Sequence, residues 1–209
     1  MNLPTAILNS LLLGLVCILP SGCLLRPAKI TTRQFILSPV RPETPLVAQS
    51  NVSIGLGAVK MPDYLRRSAM AIRRDGSEIE YLENALWAER LDQSFQRALA
   101  AGLRSQLPGS RVQLSSWQLN EVTAAVFVTV DRFDVTTEGR GTLTARWQLE
   151  SADRRKVLKT GEDRFEKSGP SPQATPEAVA ATLSELTAQF AEKLAREIRA
   201  AVPAVPGER

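Results

Sequence analysis

The sequence contains no histidine, few aromatic residues and only two cysteines, Cys17 and Cys23, among its 209 residues. The absence of histidine excludes His-based catalytic triads, His-ligated metals and histidine proton shuttles. No apolar run after residue 22 is long enough to cross a bilayer, which takes about 20 residues. Candidates for catalytic chemistry are therefore sought mainly among the carboxylates.

The carboxylates do not form a convincing acid–base pair. Glu78, Glu80 and Glu83 lie close in sequence, but Glu78 and Glu80 fall on one face of a predicted strand, which is typical of a solvated surface. Asp131 and Asp134 are expected near the end of another strand, in exposed positions. We therefore predict that the protein is not an enzyme and that it holds no metal or cofactor.

The net charge of +4 is small, and the basic residues are spread along the chain in short clusters. These clusters, Arg66-Arg67, Arg73-Arg74 and 154–156, each lie beside acidic residues or a predicted turn. A nucleic-acid footprint would concentrate basic residues on one patch or stripe. Solvated loops are the favoured interpretation, and no nucleic-acid partner is expected.

The first 22 residues carry no charged side chain, and residues 11–19 form a continuous apolar run. The run is too short to cross a bilayer but fits the apolar core of a secretory signal. Ser21-Gly22-Cys23, which follows, resembles the lipobox of bacterial lipoproteins. That resemblance implies cleavage between Gly22 and Cys23 and acylation of Cys23, for example with palmitate. Pro20 stands where the family usually has Leu, and no Lys or Arg lies near Met1, so a plain secretory signal and an uncleaved anchor stay open as alternatives.

Cleavage and acylation would leave the mature chain with no free thiol and no disulfide, so its hydrophobic core alone must stabilise it. Two or more acyl chains anchor a protein stably, because each buried methylene contributes about 0.8 kcal/mol. We predict four segments: a signal peptide at 1–22, a lipidated tether at 23–32, a globular domain at 33–202 and a disordered tail at 203–209.

Alternation and turn signals predict the strands of this domain. Asp75-Gly76 lies between two alternating runs and predicts a hairpin. Further strands are predicted at 34–37, 52–58, 112–117, 122–135, 141–150 and 156–165. The strand at 122–135 is expected at the centre of the sheet because its middle is apolar on both faces. The strand at 141–150 alternates cleanly, with Thr142 among its outward residues, so one face of the sheet is expected to meet solvent.

Two amphipathic helices complete the prediction. The first is expected to begin with Asn84 as its cap, to carry Trp87 on its apolar stripe and to end before Pro108-Gly109. The second is expected to begin at Thr175-Pro176 and to end before Pro203. Short connections favour antiparallel pairing. The predicted fold class is α+β, a mainly antiparallel sheet with two amphipathic helices packed on one face.

A series of short motifs resembles one known family over nearly the whole mature chain. The motifs are a strand that ends in P-x-Y-L at 54–65, an arginine-rich strand, Glu80-Tyr81, the run 87–91, and the long strand around 126–130. Phe35-Ile36-Leu37, the strand at 143–147 and the last helix follow the same order. Together with the lipobox, this order and spacing resemble the ABC-type transport auxiliary lipoproteins, a PqiC-like family.

The resemblance implies a periplasm-facing lipoprotein on the outer membrane that works with an MCE-domain protein and ABC transporter components. Such systems move lipids or other hydrophobic molecules between the two membranes. Leu24 follows the cysteine where inner-membrane lipoproteins typically have Asp, which favours outer-membrane sorting. The protein could act as a monomer or as a homo-oligomeric ring of copies.

Residues that could bind a partner are Pro62, Tyr64 and Leu65, in the apolar turn, and Trp87. The alternative for Tyr64 and Leu65 is that they plug the end of the core, and a tryptophan like Trp87 is more often core than interface. Two other functions stay open: a structural lipoprotein that supports assembly of another outer-membrane machine, such as a lipopolysaccharide export complex, and a carrier that binds lipid directly between sheet and helices.

Overall fold

The structure is a computed structural model, and it describes residues 31–40, 52–118, 121–173 and 175–202. The described residues all belong to one compact unit. The predictions for the signal peptide, for Gly22 and Cys23, for most of the tether and for the tail at 203–209 lie outside the described residues.

Within the described residues, eight strands form one sheet, and two α-helices and one short 3-10 helix accompany it. The strands are β1 (Arg33–Phe35), β2 (Ser53–Leu56), β3 (Ala69–Arg73), β4 (Ile79–Trp87), β5 (Arg111–Leu114), β6 (Ala124–Thr136), β7 (Arg140–Ser151) and β8 (Val157–Ser168). The helices are α1 (Leu91–Gln106) and α2 (Pro176–Ala201), and the 3-10 helix spans Asp63–Arg66. The predicted α+β class is confirmed.

β6 lies at the centre of the sheet, as its apolar sequence predicts. One edge of β6 pairs antiparallel with β7 along nearly its whole length, and β7 pairs antiparallel with β8. The other edge of β6 is shared, because β2 runs parallel to its first residues and β3 runs parallel to its last two. The sheet therefore forks at β6, with β5 outside β2 and with β4 and then β1 outside β3.

The parallel pairings are the part of the sheet that the sequence did not indicate. Tight turns join β3 to β4, β6 to β7 and β7 to β8, and these three pairs are antiparallel as expected. β1 pairs parallel with β4, and β2 pairs parallel with both β5 and β6. The sheet is therefore mixed, because its first strands reach their partners through long crossovers rather than through hairpins.

The predicted start of α1 at Asn84 is wrong, because β4 continues as far as Trp87. Asn84 is exposed in the strand, whereas Ala85 and Trp87 are both buried on one face of it. β1 pairs with this end of β4, so the backbone groups of 85–87 are satisfied as a strand rather than as a helical turn. α1 begins at Leu91, and Arg90 at its N-cap accepts a backbone hydrogen bond of 3.0 Å from Ser94.

Both helices pack on one face of the sheet, as predicted. Phe95 of α1, Phe133 of β6 and Phe190 of α2 are fully buried. The ring of Phe95 lies 5.1 Å from that of Phe133, edge to face, and 6.3 Å from that of Phe190. Where the helices cross, a Cβ added to Gly102 would lie 2.6 Å from that of Ala191, so glycine allows this close approach.

Candidate docking surface

The face of the sheet opposite the helices carries the side chains that alternate with the core positions of β6, β7 and β8. We call it the open face, and it comprises Phe127, Thr129, Arg132 and Asp134 on β6, Thr144, Arg146 and Gln148 on β7, and Thr160, Glu162 and Arg164 on β8. Thr129, Arg146 and Glu162 lie side by side in register across the three strands. The expected solvent-facing side of the sheet is thus present along most of these strands.

Asp134 is the exception, because it is fully buried although it lies on the open face. Its carboxylate Oδ2 accepts hydrogen bonds from Tyr64 Oη at 3.0 Å and from Arg73 Nε and Nη2 at 3.1 and 2.7 Å. Its Oδ1 accepts a bond of 2.9 Å from Arg132 Nε. The expectation of an exposed Asp134 is wrong, since three side chains cover it, and its neighbour in register, Thr142, is buried as well.

This cluster fixes the turn that contains Pro62, Tyr64 and Leu65. Burial, together with the nearby negative charge of Asp134, raises the pKa of the Tyr64 phenol to about 12, so Tyr64 stays a hydrogen-bond donor. The hydrogen bond to Asp134 likewise raises the pKa of Arg73. Tyr81 ties the turn from the other side, because its hydroxyl donates to the carbonyl of Tyr64 at 3.1 Å. The 3-10 helix is therefore held against the sheet by polar bonds as well as by packing.

The four predicted partner-binding residues do not share one environment. Leu65 and Trp87 are buried, at 4% and 6% exposure, and both belong to the hydrophobic core. Pro62 and Tyr64 are half-buried at the surface of the turn. Partner binding thus stays a prediction, with Pro62 and Tyr64 as its accessible members.

A shallow groove lies on the open face, and the sequence analysis did not identify it. Its volume is about 670 Å³, and its lining includes Lys60, Phe127, Gln148 and Arg154. A smaller depression of about 320 Å³ adjoins it and is lined in part by Phe127, Arg154 and Trp117. The guanidinium of Arg154 lies 4.6 Å from the centre of the Phe127 ring, which is cation–π geometry.

Two glycines, Gly55 in β2 and Gly57 just after it, make room for the aromatic residues of this groove. A Cβ on Gly55 would lie 2.4 Å from the Trp117 ring, and a Cβ on Gly57 would lie 2.7 Å from the Phe127 ring. Both rings therefore rest directly on the strand backbone. The alternating glycines at 55 and 57, opposite an aromatic residue on a central strand, are the sequence signal that could have predicted such a platform.

Some charged side chains of the groove form ion pairs and one does not. Arg146 forms an ion pair of 2.7 Å with Asp131, and its hydrogen bond lowers the pKa of that carboxyl. Arg154 contacts Glu150 at 3.3 Å. Lys60 is exposed and makes no ion pair with any residue that the structure describes. The groove thus combines aromatic rings with the ammonium group of Lys60, which is available to pair with an acidic group.

The described residues hold neither a metal-ligand cluster nor a membrane-spanning helix. Over these ranges, no group of three or more His, Cys, Asp or Glu side chains is placed to hold a metal ion. None of the described helices is long and apolar enough to span a membrane. The open face thus carries the fixed turn beside Asp134, toward the end of β6, and the aromatic groove around Phe127, toward its start.

The match to a family model defines the class of this protein. The model of the ABC-type transport auxiliary lipoprotein component matches residues 35–195. The chain therefore belongs to this family of auxiliary transport lipoproteins, and the resemblance drawn from the sequence motifs is confirmed.

Among individual relatives, the Intermembrane transport lipoprotein PqiC of Escherichia coli and that of Shigella flexneri are each 30% identical over 102 residues. The match covers 49% of this chain and 54% of each relative, so it spans about half the length of these curated proteins. A crystal structure of an uncharacterised protein superposes with a TM-score of 0.67 at 23% identity, over 80% of this chain and 99% of the other. The crystal structure of a Xanthomonas campestris protein superposes with a TM-score of 0.60 at 17% identity, over 78% of this chain and 92% of the other. These structures share the fold.

Proposed function

We propose that this protein is the lipid-anchored auxiliary component of an intermembrane transport system. In this role acyl chains on Cys23 hold it on the periplasmic face of the outer membrane, and it performs no catalysis. It docks an MCE-domain protein that works with an ABC transporter to move lipids or other hydrophobic molecules across the periplasm. Family membership and the intermembrane transport role in the name of its relatives support this proposal.

The open face is the observation on which the docking part of the proposal rests. The other face of the sheet is occupied by α1 and α2, whose apolar stripes are buried there. The groove, by contrast, combines the rings of Phe127 and Trp117 with the free cation of Lys60. Aromatic pockets with a few oriented polar groups are typical binding sites. A polypeptide with an apolar side chain beside an acidic one fits this chemistry, whether one copy of the chain or a ring of copies presents it.

Affinity purification of the full-length protein from gently solubilised envelopes tests the proposal. Mass spectrometry of the co-purifying proteins and of the N-terminal peptide should find an MCE-domain protein and an acylated Cys23. An N-terminal peptide that still carries Met1, with no envelope partner, would contradict both the anchor and the transport role. A barrel or assembly factor as the partner would instead support the structural assembly lipoprotein.

Charge reversal on each side of the sheet tests where the partner docks. Lys60→Glu combined with Arg154→Glu should abolish co-purification of the MCE-domain protein. Arg196→Glu is the matched control, since Arg196 is an exposed, ion-paired arginine of α2, on the helix side. Equal losses in both variants would contradict docking on the open face. A photo-crosslinking residue at Pro62 should capture the same partner.

A direct lipid carrier is the weaker alternative. Such a carrier needs space between sheet and helices, but that layer holds the fully buried ring of Phe95 in contact with the buried rings of Phe133 and Phe190. A native mass that falls after lipid extraction would support the carrier, whereas an unchanged mass supports the docking role.

A further inference from the structure

Two exposed apolar side chains lie close together near the N-terminal end of the described chain. Ile36 is 53% exposed and Val40 is 40% exposed. Among the described residues only one other large hydrophobic side chain, Val157, is classed as exposed, at 51%. Single exposed apolar residues are ordinary, but two of them only four positions apart in one short segment need a reason.

Hydrogen bonds to the helices hold this segment in place. The backbone N–H of Leu37 donates to Ser94 Oγ of α1 at 3.1 Å, and that of Ser38 donates to Ser184 Oγ of α2 at 3.0 Å. Both serines are buried, and the Leu37 side chain enters the core at 4% exposure. The Leu37 side chain points into the core from a fixed backbone, so the neighbouring Ile36 side chain points outward. The exposure of Ile36 therefore comes from the fold and not from fraying of the chain end.

The segment lies near one end of the molecule. Arg33 pairs at 2.8 Å with Glu177, in the first turn of α2. At the other end of α2, Glu197 pairs with Lys159, two residues from Val157. The two glutamates are 20 positions apart in α2, which is a rise of about 30 Å. Ile36 and Val157 therefore occupy opposite ends of the domain at nearly equal exposure.

In the sequence, the net charge of the chain is concentrated around the same segment. Residues 1–42 contain four basic residues and no acidic residue. These four account for the whole net charge of +4, because the rest of the chain carries 22 basic and 22 acidic residues. Basic residues beside an apolar contact favour the surface of a membrane that contains anionic lipids.

The predicted anchor brings this end of the domain close to lipid. Seven residues lie between Cys23 and Thr31, and the eight Cα–Cα steps from one to the other span at most roughly 28 Å in a fully extended chain. Acyl chains on Cys23 would thus keep Thr31, and the segment that follows it, near the bilayer.

We propose that the segment Phe35–Val40 is a second membrane contact, in which Ile36 and Val40 enter the interface of an anionic phospholipid bilayer next to the acyl anchor. The proposal rests on the anchor given under the proposed function. Its consequence is a fixed orientation, with the N-terminal end of α2 toward the membrane and the Val157 end away from it.

A fluorescent label at each end of the domain tests this contact. The mature lipoprotein would have no other reactive thiol, so Ile36→Cys and, as the matched control, Val157→Cys can each carry one nitrobenzoxadiazole dye. The full-length acylated variants are reconstituted into vesicles of phosphatidylethanolamine and phosphatidylglycerol. The dye at position 36 should shift to shorter wavelength and be quenched by nitroxide-labelled lipids, and the dye at position 157 should do neither. Omitting phosphatidylglycerol should weaken the effect at position 36.

Three outcomes would overturn the contact. Equal signals at positions 36 and 157 in acylated protein that floats with the vesicles would refute it and leave the anchor intact. A blue shift at position 36 without quenching by the labelled lipids would assign the segment to a protein partner or to a second copy of the chain. An N-terminal peptide without acyl chains, in a protein that does not float, would remove the anchor and this contact together.

Discussion

Phe133 and Asp134 are neighbours on β6, and both are fully buried, but on opposite faces of the sheet and by different means. Phe133 is covered by the rings and aliphatic side chains of the helices, so its burial is driven by removal of apolar surface from water. Asp134 is covered by one tyrosine and two arginines that hydrogen-bond to it. The helix side of the sheet is thus stabilised by packing, and the open face is stabilised at this end by a satisfied polar cluster.

Two phenylalanines of β6 test the first half of this comparison. Phe133→Ala should lower the free energy of unfolding by about 3–5 kcal/mol, because it leaves a cavity in the helix–sheet layer. Phe127→Ala, on the half-exposed open face, should cost roughly 1–2 kcal/mol, since it loses less buried area. Chemical denaturation followed by circular dichroism measures both. Equal losses would show that the two faces are packed alike.

Two aspartates of β6 test the second half. Asp134→Asn should destabilise the protein by about 3 kcal/mol, because it leaves the charges of Arg73 and Arg132 without their buried partner. Asp131 also pairs with an arginine, but its side chain is 38% exposed, so Asp131→Asn should change stability by less than about 1 kcal/mol. The same denaturation experiment compares them. A small loss at Asp134 would show that the cluster does not stabilise the turn.

A rise to alkaline pH tests the contribution of the Tyr64 phenol to stability separately from that of the other residues in the cluster. Since folding raises the pKa of Tyr64 from 10.0 to about 12, its contribution is full below pH 10 and is lost as the pH rises through 12. Tyr64→Phe should cost about 1–2 kcal/mol at neutral pH and should remove that part of the alkaline decline. Tyrosinate absorbance should show a late step near pH 12 in the wild type. Persistence of this step in Tyr64→Phe would assign it to another group.

Local signals predicted much of the fold. Asp75-Gly76 marks the β3–β4 hairpin, Thr175-Pro176 marks the start of α2, and the apolar run at 126–130 marks the central strand. Each of these features depends on residues within one turn or one element. The fold class follows from them, because each helix with one apolar stripe buries it against the sheet, and the clean alternation of the strand at 141–150 leaves the other face to solvent.

The errors concern features that depend on distant residues. Asn84 is a good helix cap by type, yet β1, about fifty residues earlier, pairs with this segment and keeps it extended. Asp134 is surrounded by side chains 61 and 70 residues away in sequence, which no local pattern shows. A signal was nevertheless present, since Asp134 shares a strand face with Arg132 and lies between the apolar residues Phe133 and Val135.

The fork of the sheet at β6 has a consequence for how the chain matures. β2 pairs with residues of β6 about seventy positions later, as in the pair Ile54 and Ala124. On the proposed export route the chain crosses the inner membrane with its N-terminus first, so β1, β2 and β3 arrive before the strand that joins their two branches. The edges of β2 and β3 that pair with β6 stay unpaired until β6 follows, and late, long-range pairing of this kind is slow and prone to aggregation. We therefore expect that a newly exported chain depends on a periplasmic chaperone until residue 136 has emerged.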